Sequence, residues 1–517
     1  MKRILAILLA TLVLLPACSG PEPAEPVPDE TDAESADPPE TDPLTPPAPL
    51  FEDYYTARRA LLNLEDLDLP LKYYTEESFE RFRAVRDDVM KKLNDAGEDQ
   101  SFMEELYREL KAARDGLEYA RGDTPRIYIV KDGGVGWGYS PCSVAVVSAE
   151  GEKYKAVTDT AAEISLRGNS TSGAEKAPYN IRFSQRVSLL GMDRGRRWTL
   201  LANLYDKTLM RNYIAYYLAG QMGLPYTSQC RFTEVYVNGE YRGSYNLIEP
   251  VTDGRGRVEI DPENLDFIFE VDMNRNDGSY YLKPKHGQRM KVNKPEQVDS
   301  ASRAILKDFF DLMDKALMTR DMEQYSEYID VDSFVDFYIH SELTKSIDVY
   351  DFSTRYFMKG GKLYAGPVWD YDLSMGNVSE SCREDKYYTY CNVRGFGTDS
   401  GDSAEGVWMD NYWFHELLKD PAFCRRVRDR FEELYPLFEN LFTANEKGPC
   451  LIDWILSRYG KSFRRNYEQA GWSELRRYSG LAKDETLPFD EETEWLRSWF
   501  ERRVTWFAFY LIDLTEE

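Results

Sequence analysis

Between Pro125 and Val271 short strand patterns follow one another with a single helix among them. That order excludes an alternating β-α-β chain and predicts an α+β fold. Arg126-Ile-Tyr-Ile-Val130, Ser143–Val147, Ala162–Leu166 and Lys176–Phe183 are short, β-branched or alternating, and separated by glycine-rich turns. Phe232–Val237 and Tyr241–Ile248 flank Asn238-Gly239, a pair whose tolerance of positive φ favours a type I′ hairpin turn. Phe267–Val271 is a further strand ending at Asp272. The one intervening helix is expected to start at Asp206 as its N-cap and to stop at Gly223. Beyond about residue 295 helices dominate, interrupted by a hairpin from Arg355 to Ala365. The last helix, Trp495 to Leu511, is apolar on most faces and is expected in the core.

Upstream of the strands, residues 52–120 carry three amphipathic runs with short joints, the pattern of an antiparallel three-helix bundle. Lys2-Arg3 followed by the apolar run Ile4–Leu15 has the form of an export signal too short for a comfortable membrane span. Leu15-Pro-Ala-Cys18 resembles a bacterial lipobox, which would leave Cys18 as a lipid-bearing N-terminus on the outer face of the cell membrane. Residues 19–50, Pro- and acid-rich, cannot bury enough apolar surface to fold and are read as a tether. A net charge of −26 argues against a nucleic-acid partner. Three histidines make a multi-His metal site or a His-based triad a poor expectation. Cys142, Cys230, Cys382, Cys391, Cys424 and Cys450 fit no zinc spacing; Cys382 and Cys391 are near enough in sequence to pair outside the cell.

The stretch Tyr364-Ala-Gly-Pro-Val-Trp-Asp370-Tyr-Asp372-Leu-Ser-Met-Gly376-Asn377 carries the chemistry. Read as extended chain, it puts Asp370 and Asp372 on one face. Two carboxylates there repel unless a cation, a proton or a basic group intervenes, and Mg²⁺ accepts one or two carboxylates plus phosphates. The plain alternative is that one Asp caps the turn and the other pairs with an arginine. Upstream, the loop Arg167-Gly-Asn169-Ser170-Thr-Ser-Gly173 offers backbone N–H groups and hydroxyls to an anion, and Lys176 offers a point charge; an ordinary hairpin with a solvated lysine is the plain alternative. Asp348 follows the helix that begins at Val331. Lysine, then acid, then a second acid about twenty residues on is the order in which protein kinases place their parts.

Residues 125–515 resemble the CotH kinase family, the spore coat protein H-like atypical kinases. The resemblance is carried by Leu166-Arg-Gly-Asn-Ser-Thr171, Lys176-Ala-Pro-Tyr-Asn-Ile, Leu190-Gly-Met, Trp198 to Asn212, Glu234 to Glu249 and Gly366-Pro-Val-Trp-Asp-Tyr-Asp-Leu. It implies an atypical protein-kinase-like fold, with a β-rich N-lobe and a helical C-lobe, that uses ATP and Mg²⁺ or Mn²⁺ to phosphorylate Ser or Thr of a secreted or surface protein. It implies that Asp348 is the catalytic base and that Asp370 holds the metal, with Asp372 as second ligand or orienter. Lys176, with Arg167, Asn169 and Ser170 of the loop before it, would contact ATP, and Arg211 and Glu249 are further candidate nucleotide contacts. Kinases place a metal-binding Asn five residues beyond the catalytic Asp; here that position is Ser353, a weaker oxygen ligand, which leaves a catalytically weak or inactive pseudokinase as the alternative. Residues 51–121 resemble the FIVAR module of bacterial surface proteins, a spacer or a cell-wall or carbohydrate contact. A sugar-nucleotide transferase using Asp370-Tyr-Asp372 ranks last, because no doubly wound domain precedes it.

Overall fold

The computed structural model describes residues 49–65, 73–95, 97–168, 174–272, 278–349, 352–377, 412–468 and 488–513. Seven strands close a barrel: β1 (Arg126–Val130), β2 (Ser140–Val147), β3 (Val157–Leu166), β4 (Tyr179–Val187), β5 (Gly195–Leu201), β6 (Cys230–Val237) and β7 (Glu240–Ile248), in the order β1-β2-β3-β4-β5-β7-β6. Neighbours are antiparallel except β1 and β6, whose parallel pairing closes the ring. The period-two alternation sorts side chains between two cores. Ile127, Ile129, Val144 and Val146 point into the barrel with Trp198, Leu200, Tyr245 and Leu247. Tyr128, Ala145 and Val147 point outward into a second apolar layer. Asn238 and Gly239 both have positive φ, as the hairpin reading requires.

That outer layer is covered by α1 (Tyr54–Glu65), α2 (Glu76–Asp95) and α3 (Gln100–Asp115). Leu61, Phe79, Phe82, Val89, Leu106 and Leu110 pack against the outward residues of β1 and β2. The Tyr73 hydroxyl donates to the Ile129 carbonyl (3.1 Å) and accepts from the Gly239 N–H (2.6 Å). The helices therefore share a core with the barrel, which differs from a freestanding spacer. The expectation of a spacer arose because amphipathic periodicity reports that a face is buried, not what buries it.

The opposite side of the barrel, through Leu201, Phe232 and Ile248, joins the main core. There α4 (Arg211–Met222) shares a core with an antiparallel sheet of β8 (Phe267–Val271), β9 (Tyr281–Leu282), β10 (Met290–Lys294), β11 (Arg355–Lys359) and β12 (Lys362–Ala365), ordered β12-β11-β8-β10-β9. Around it lie α5 (Ser300–Met318), α6 (Met322–Tyr325), α7 (Val331–Thr344), α8 (Tyr412–Leu417), α9 (Pro421–Glu439), α10 (Leu451–Glu468) and α11 (Phe489–Asp513). The mixed α+β class is thus observed. A charged latch ties α10 back to the barrel: Arg465 reaches Glu234 on β6 (2.8 Å) and Asp123 (3.0 Å), and Ser462 donates to Glu234 (3.0 Å).

Three local expectations need correction. The α4 helix begins at Arg211, not just after Asp206, because Asn203 and Leu209 take left-handed φ and hold residues 203–210 in turns. Strand β5, opening Gly-Arg-Arg, lacks the apolar start that a strand reading needs. Helix α11 buries one face through Leu496, Trp499, Phe500, Val504, Phe507 and Leu511, yet leaves Phe509 56% exposed. Among the described residues no helix is long and apolar enough to cross a membrane, and Cys142, Cys230, Cys424 and Cys450 are free thiols; Cys382 and Cys391 lie outside the described residues. Tyr73→Phe removes one hydroxyl and orphans the Gly239 N–H, while the Ile129 carbonyl keeps the Asn238 N–H (2.9 Å), so it should cost about 1–3 kcal/mol. Urea melts should show a lower midpoint with an unchanged slope.

Candidate active site

The site is built on residues 366–377, the loop that leaves β12 at Ala365. The extended reading of Trp369–Asp372 does not hold: Asp370 has φ +66°, a left-handed conformation that strains a side-chain-bearing residue. The two acids are close because the chain turns, not because they alternate on a strand. One end of α4 holds the loop by its backbone. The Tyr371 N–H donates to Asn212 Oδ1 (2.7 Å), the Asp370 N–H to the Tyr216 hydroxyl (3.4 Å), and Arg211 Nε to the Ser374 carbonyl (3.1 Å). The end of α7 and the residues after it hold the other side, with Met375 N–H donating to the Thr344 carbonyl (2.6 Å) and Ile347 N–H to the Leu373 carbonyl (3.2 Å). Gly376, at φ +75°, lies so close to Trp495 and Trp499 of α11 that a Cβ would collide with both rings.

The contacts from α4 continue into the barrel. Asn212 Nδ2 donates to Asn203 Oδ1 (3.0 Å), and Asn203 Nδ2 donates to Asn246 Oδ1 on β7 (2.9 Å). All three amides are buried. The neighbouring β7 residue Ser244 accepts from Lys176 Nζ (2.7 Å), whose ammonium also lies 5.0 Å from the Tyr245 ring centre. The candidate lysine and the carboxylate loop are therefore both referenced to residues 244–246. Asp206 makes the second tie. It accepts from the Thr208 and Arg211 N–H groups (2.9 and 2.7 Å) and pairs with the buried Arg211 guanidinium. Arg211, a candidate phosphate contact, gives Nε to Ser374 and Nη1 to Asp206, while its Nη2 is buried with no hydrogen-bond partner among the described residues.

Electrostatics bring the acids together. Burial raises the Asp372 carboxyl well above its usual range, and Asp370, Asp348 and Asp206 push it further; the Tyr205 backbone N–H opposes them. Burial also raises Asp370, against the Arg167 and Arg355 guanidinium groups. Arg355 pairs with Glu270 (2.7 Å), and Arg167 lies over the Trp369 ring (5.5 Å). Burial pushes the Lys176 ammonium down to about 7, while Asp206 supports its charge. Excess negative charge at Asp372 and two cations beside Asp370 fit a divalent ion bound with an anionic phosphate. Among the described residues no set of three or more His, Cys, Asp and Glu side chains is placed to hold a metal alone. One or two carboxylates with added oxygen donors is the donor set that Mg²⁺ takes.

Arg167, Asp348, Asp370 and Asp372 thus share one electrostatic neighbourhood, and Lys176 is connected to it through Asp206. Glu249 stands apart: it pairs with Arg257 (2.6 Å) and accepts from the Gln229 N–H (3.0 Å), and burial raises it to about 7. Ser353 lies just before β11 at φ +56°. Asn169 and Ser170 lie outside the described residues. A cleft of about 250 Å³ opens between the barrel and the second sheet, lined by Tyr139, Asn180, Thr199, Val251, Ile268 and Asn293 among others. Asn293 donates to Glu270 (2.9 Å), the partner of Arg355, which connects the cleft wall to the surroundings of Asp370. Asn203, Asn212, Tyr216, Glu270 and Arg355 escape a reading of sequence; Asn203 and Asn212 fall in a quoted motif, but nothing local marks a buried amide as a strut.

Asn212→Ala orphans the Tyr371 N–H and the Asn203 carbonyl and should cost about 1–3 kcal/mol per group, measured by urea unfolding. A second expectation concerns His340, buried between Tyr371 and the Ala215 carbonyl (2.9 Å), whose pKa burial lowers from 6.5 to about 4. The unfolded chain binds the proton first, so His340 contributes stability fully above pH 6.5 and loses it as pH falls toward 4, at up to about 1.4 kcal/mol per pH unit. Unfolding free energies at pH 7, 5.5 and 4.5 should show this component in the wild type and not in His340→Gln.

No curated protein matches the chain. The family model described as CotH kinase protein matches residues 164–507, more than half of the 517 residues, and it spans β4 to β12, the carboxylate loop and all but the last residues of α11. The motifs that carry the resemblance, Lys176 to Ile181, Trp198 to Asn212 and Gly366 to Leu373, all fall inside it, and the chain belongs to the CotH kinase family.

Proposed function

We propose that the protein is a metal-dependent kinase that transfers the γ-phosphoryl group of ATP to a Ser or Thr hydroxyl of a secreted or surface protein. The observation that carries this is the half-buried Asp372 carboxyl, pressed by Asp370, Asp348 and Asp206, with Arg167 beside Asp370 and Lys176 beside Asp206. Such a site is short of positive charge until a cation and a phosphate chain arrive together. Asp370 and Asp372 would hold Mg²⁺ or Mn²⁺, which offsets charge on the transferring phosphoryl group. Lys176 and Arg167 orient the phosphates, and the cleft lined by Tyr139 and Val251 takes the base. Asp348 accepts the proton as the acceptor oxygen bonds to phosphorus and the bond to ADP breaks. A site of this kind works by positioning and charge, so it needs neither a histidine nor a reactive thiol.

A β-rich N-lobe formed by the barrel and a helical C-lobe behind the carboxylate loop agree with this reading. Lys2-Arg3, the Ile4–Leu15 run and Cys18 support export and a lipid anchor, with residues 19–50 as tether and the FIVAR-like helices at 51–121 facing a surface partner. Ser353 favours the second reading, a pseudokinase that binds without transferring phosphate.

The purified protein with Mg²⁺ or Mn²⁺ and labelled ATP should label itself or a Ser-rich acceptor. Absence of label together with no ATP-induced thermal shift would sink the kinase reading, whereas binding without transfer selects the pseudokinase. Asp348→Asn should lower kcat by about 10²–10⁴ with ATP affinity kept. Asp370→Ala should abolish metal-dependent nucleotide binding; unchanged binding would mean a different carboxylate holds the ion.

A further inference from the structure

Among the described residues no more than two carboxylates are placed to meet an ion at this loop, and the position at which kinases supply a neutral amide oxygen holds Ser353. A candidate for that oxygen lies at the other end of the same loop. Asn377 is 5% exposed. Its Nδ2 donates to two backbone carbonyls, those of Tyr205 (2.8 Å) and Asp372 (2.8 Å). A carboxamide whose nitrogen is committed to two acceptors cannot flip without putting its oxygen against both of them. The orientation is therefore fixed, with Oδ1 directed away from those carbonyls. Among the described residues nothing donates to Oδ1. Tyr205 contributes to the neighbourhood twice, since its N–H also supports the Asp372 carboxylate.

We infer that Asn377 Oδ1, not Ser353, is the neutral oxygen ligand that completes the metal site with Asp370 and Asp372. The inference rests on the kinase reading of the carboxylate loop. The oxygen is not one of the buried atoms left without a partner, so solvent and an incoming ion can reach it, and a hard divalent cation takes carbonyl oxygens readily. The bonds from Nδ2 would preorganise the ligand, as partners of metal-bound side chains commonly do. The site then draws three oxygen ligands from one eight-residue stretch, Asp370 to Asn377, so metal affinity and loop conformation are coupled.

The test is Mn²⁺ binding followed by electron paramagnetic resonance, with and without ADP, which reads the site without turnover. Asn377→Ala should weaken Mn²⁺ about 10–100-fold, and Ser353→Ala should leave it within twofold. Asn377→Cys should raise the preference for Cd²⁺ over Mn²⁺ relative to the wild type, because a thiolate ligand selects softer ions; a residue that only supports the loop would not change metal preference. A measurement on the unsubstituted chain guards against variants that fail to fold: ¹³Cγ-asparagine label should give a hyperfine coupling to bound Mn²⁺. Wild-type affinity in Asn377→Ala with no ¹³C coupling overturns the ligand assignment and leaves the kinase reading standing. The same holds if the loss appears in Ser353→Ala instead. No Mn²⁺ uptake by the wild type, with or without ADP, overturns both.

Discussion

The structure depends on the partial burial of two carboxylates in a loop that has no regular structure of its own. A loop cannot hold Asp370 at a left-handed φ, or keep Asp372 among three other acids, unless its backbone is fixed from outside. The first turns of α4 do this with three hydrogen bonds to residues 370, 371 and 374. Helix α7 and the aromatic face of α11 close the other side. Each contact is worth little by itself, about 0.5–1.5 kcal/mol. Together they replace water as the partner of the loop's backbone, which lets the acids be desolvated and makes their charge available to a ligand.

The same struts fix the distance between the two halves of the site. Asn212, Asn203 and Asn246 run from the loop to β7, and β7 also holds Lys176 through the Ser244 carbonyl. A buried amide chain is satisfied only in one geometry, so it specifies position more sharply than apolar packing would. The barrel that carries β7 is closed by β1, which lies outside residues 164–507, as do β2 and the helices that cover both strands. Those N-terminal elements therefore contribute to the frame of the site although the family model does not include them.

The acidic balance of the chain fits this arrangement. A net charge of −26 leaves nucleic acid an unfavourable partner, yet Arg167 and Arg355 are gathered next to the carboxylate loop. Local cations in a buried site act at low dielectric and are screened far less than surface charge. The global charge and the local site can thus have opposite signs without conflict.

Sequence alone determined the α+β class, the Asn238-Gly239 hairpin, the strands from Pro125 onward except β5, β9 and β10, and the family, because period-two alternation, turn chemistry and motif order are local or linear signals. It also singled out Lys176, Asp348, Asp370 and Asp372 as one set. Only the tertiary structure decided that the Asp370–Asp372 pair forms in a turn, that Arg211 pairs with Asp206, and that Glu249 pairs with Arg257. It alone decided that the 52–120 helices share a core with the barrel. These facts rest on contacts between residues far apart in the chain, such as Tyr371 with Asn212 or Tyr73 with Ile129 and Gly239. No periodicity encodes which buried polar groups will meet once two apolar faces have closed over them.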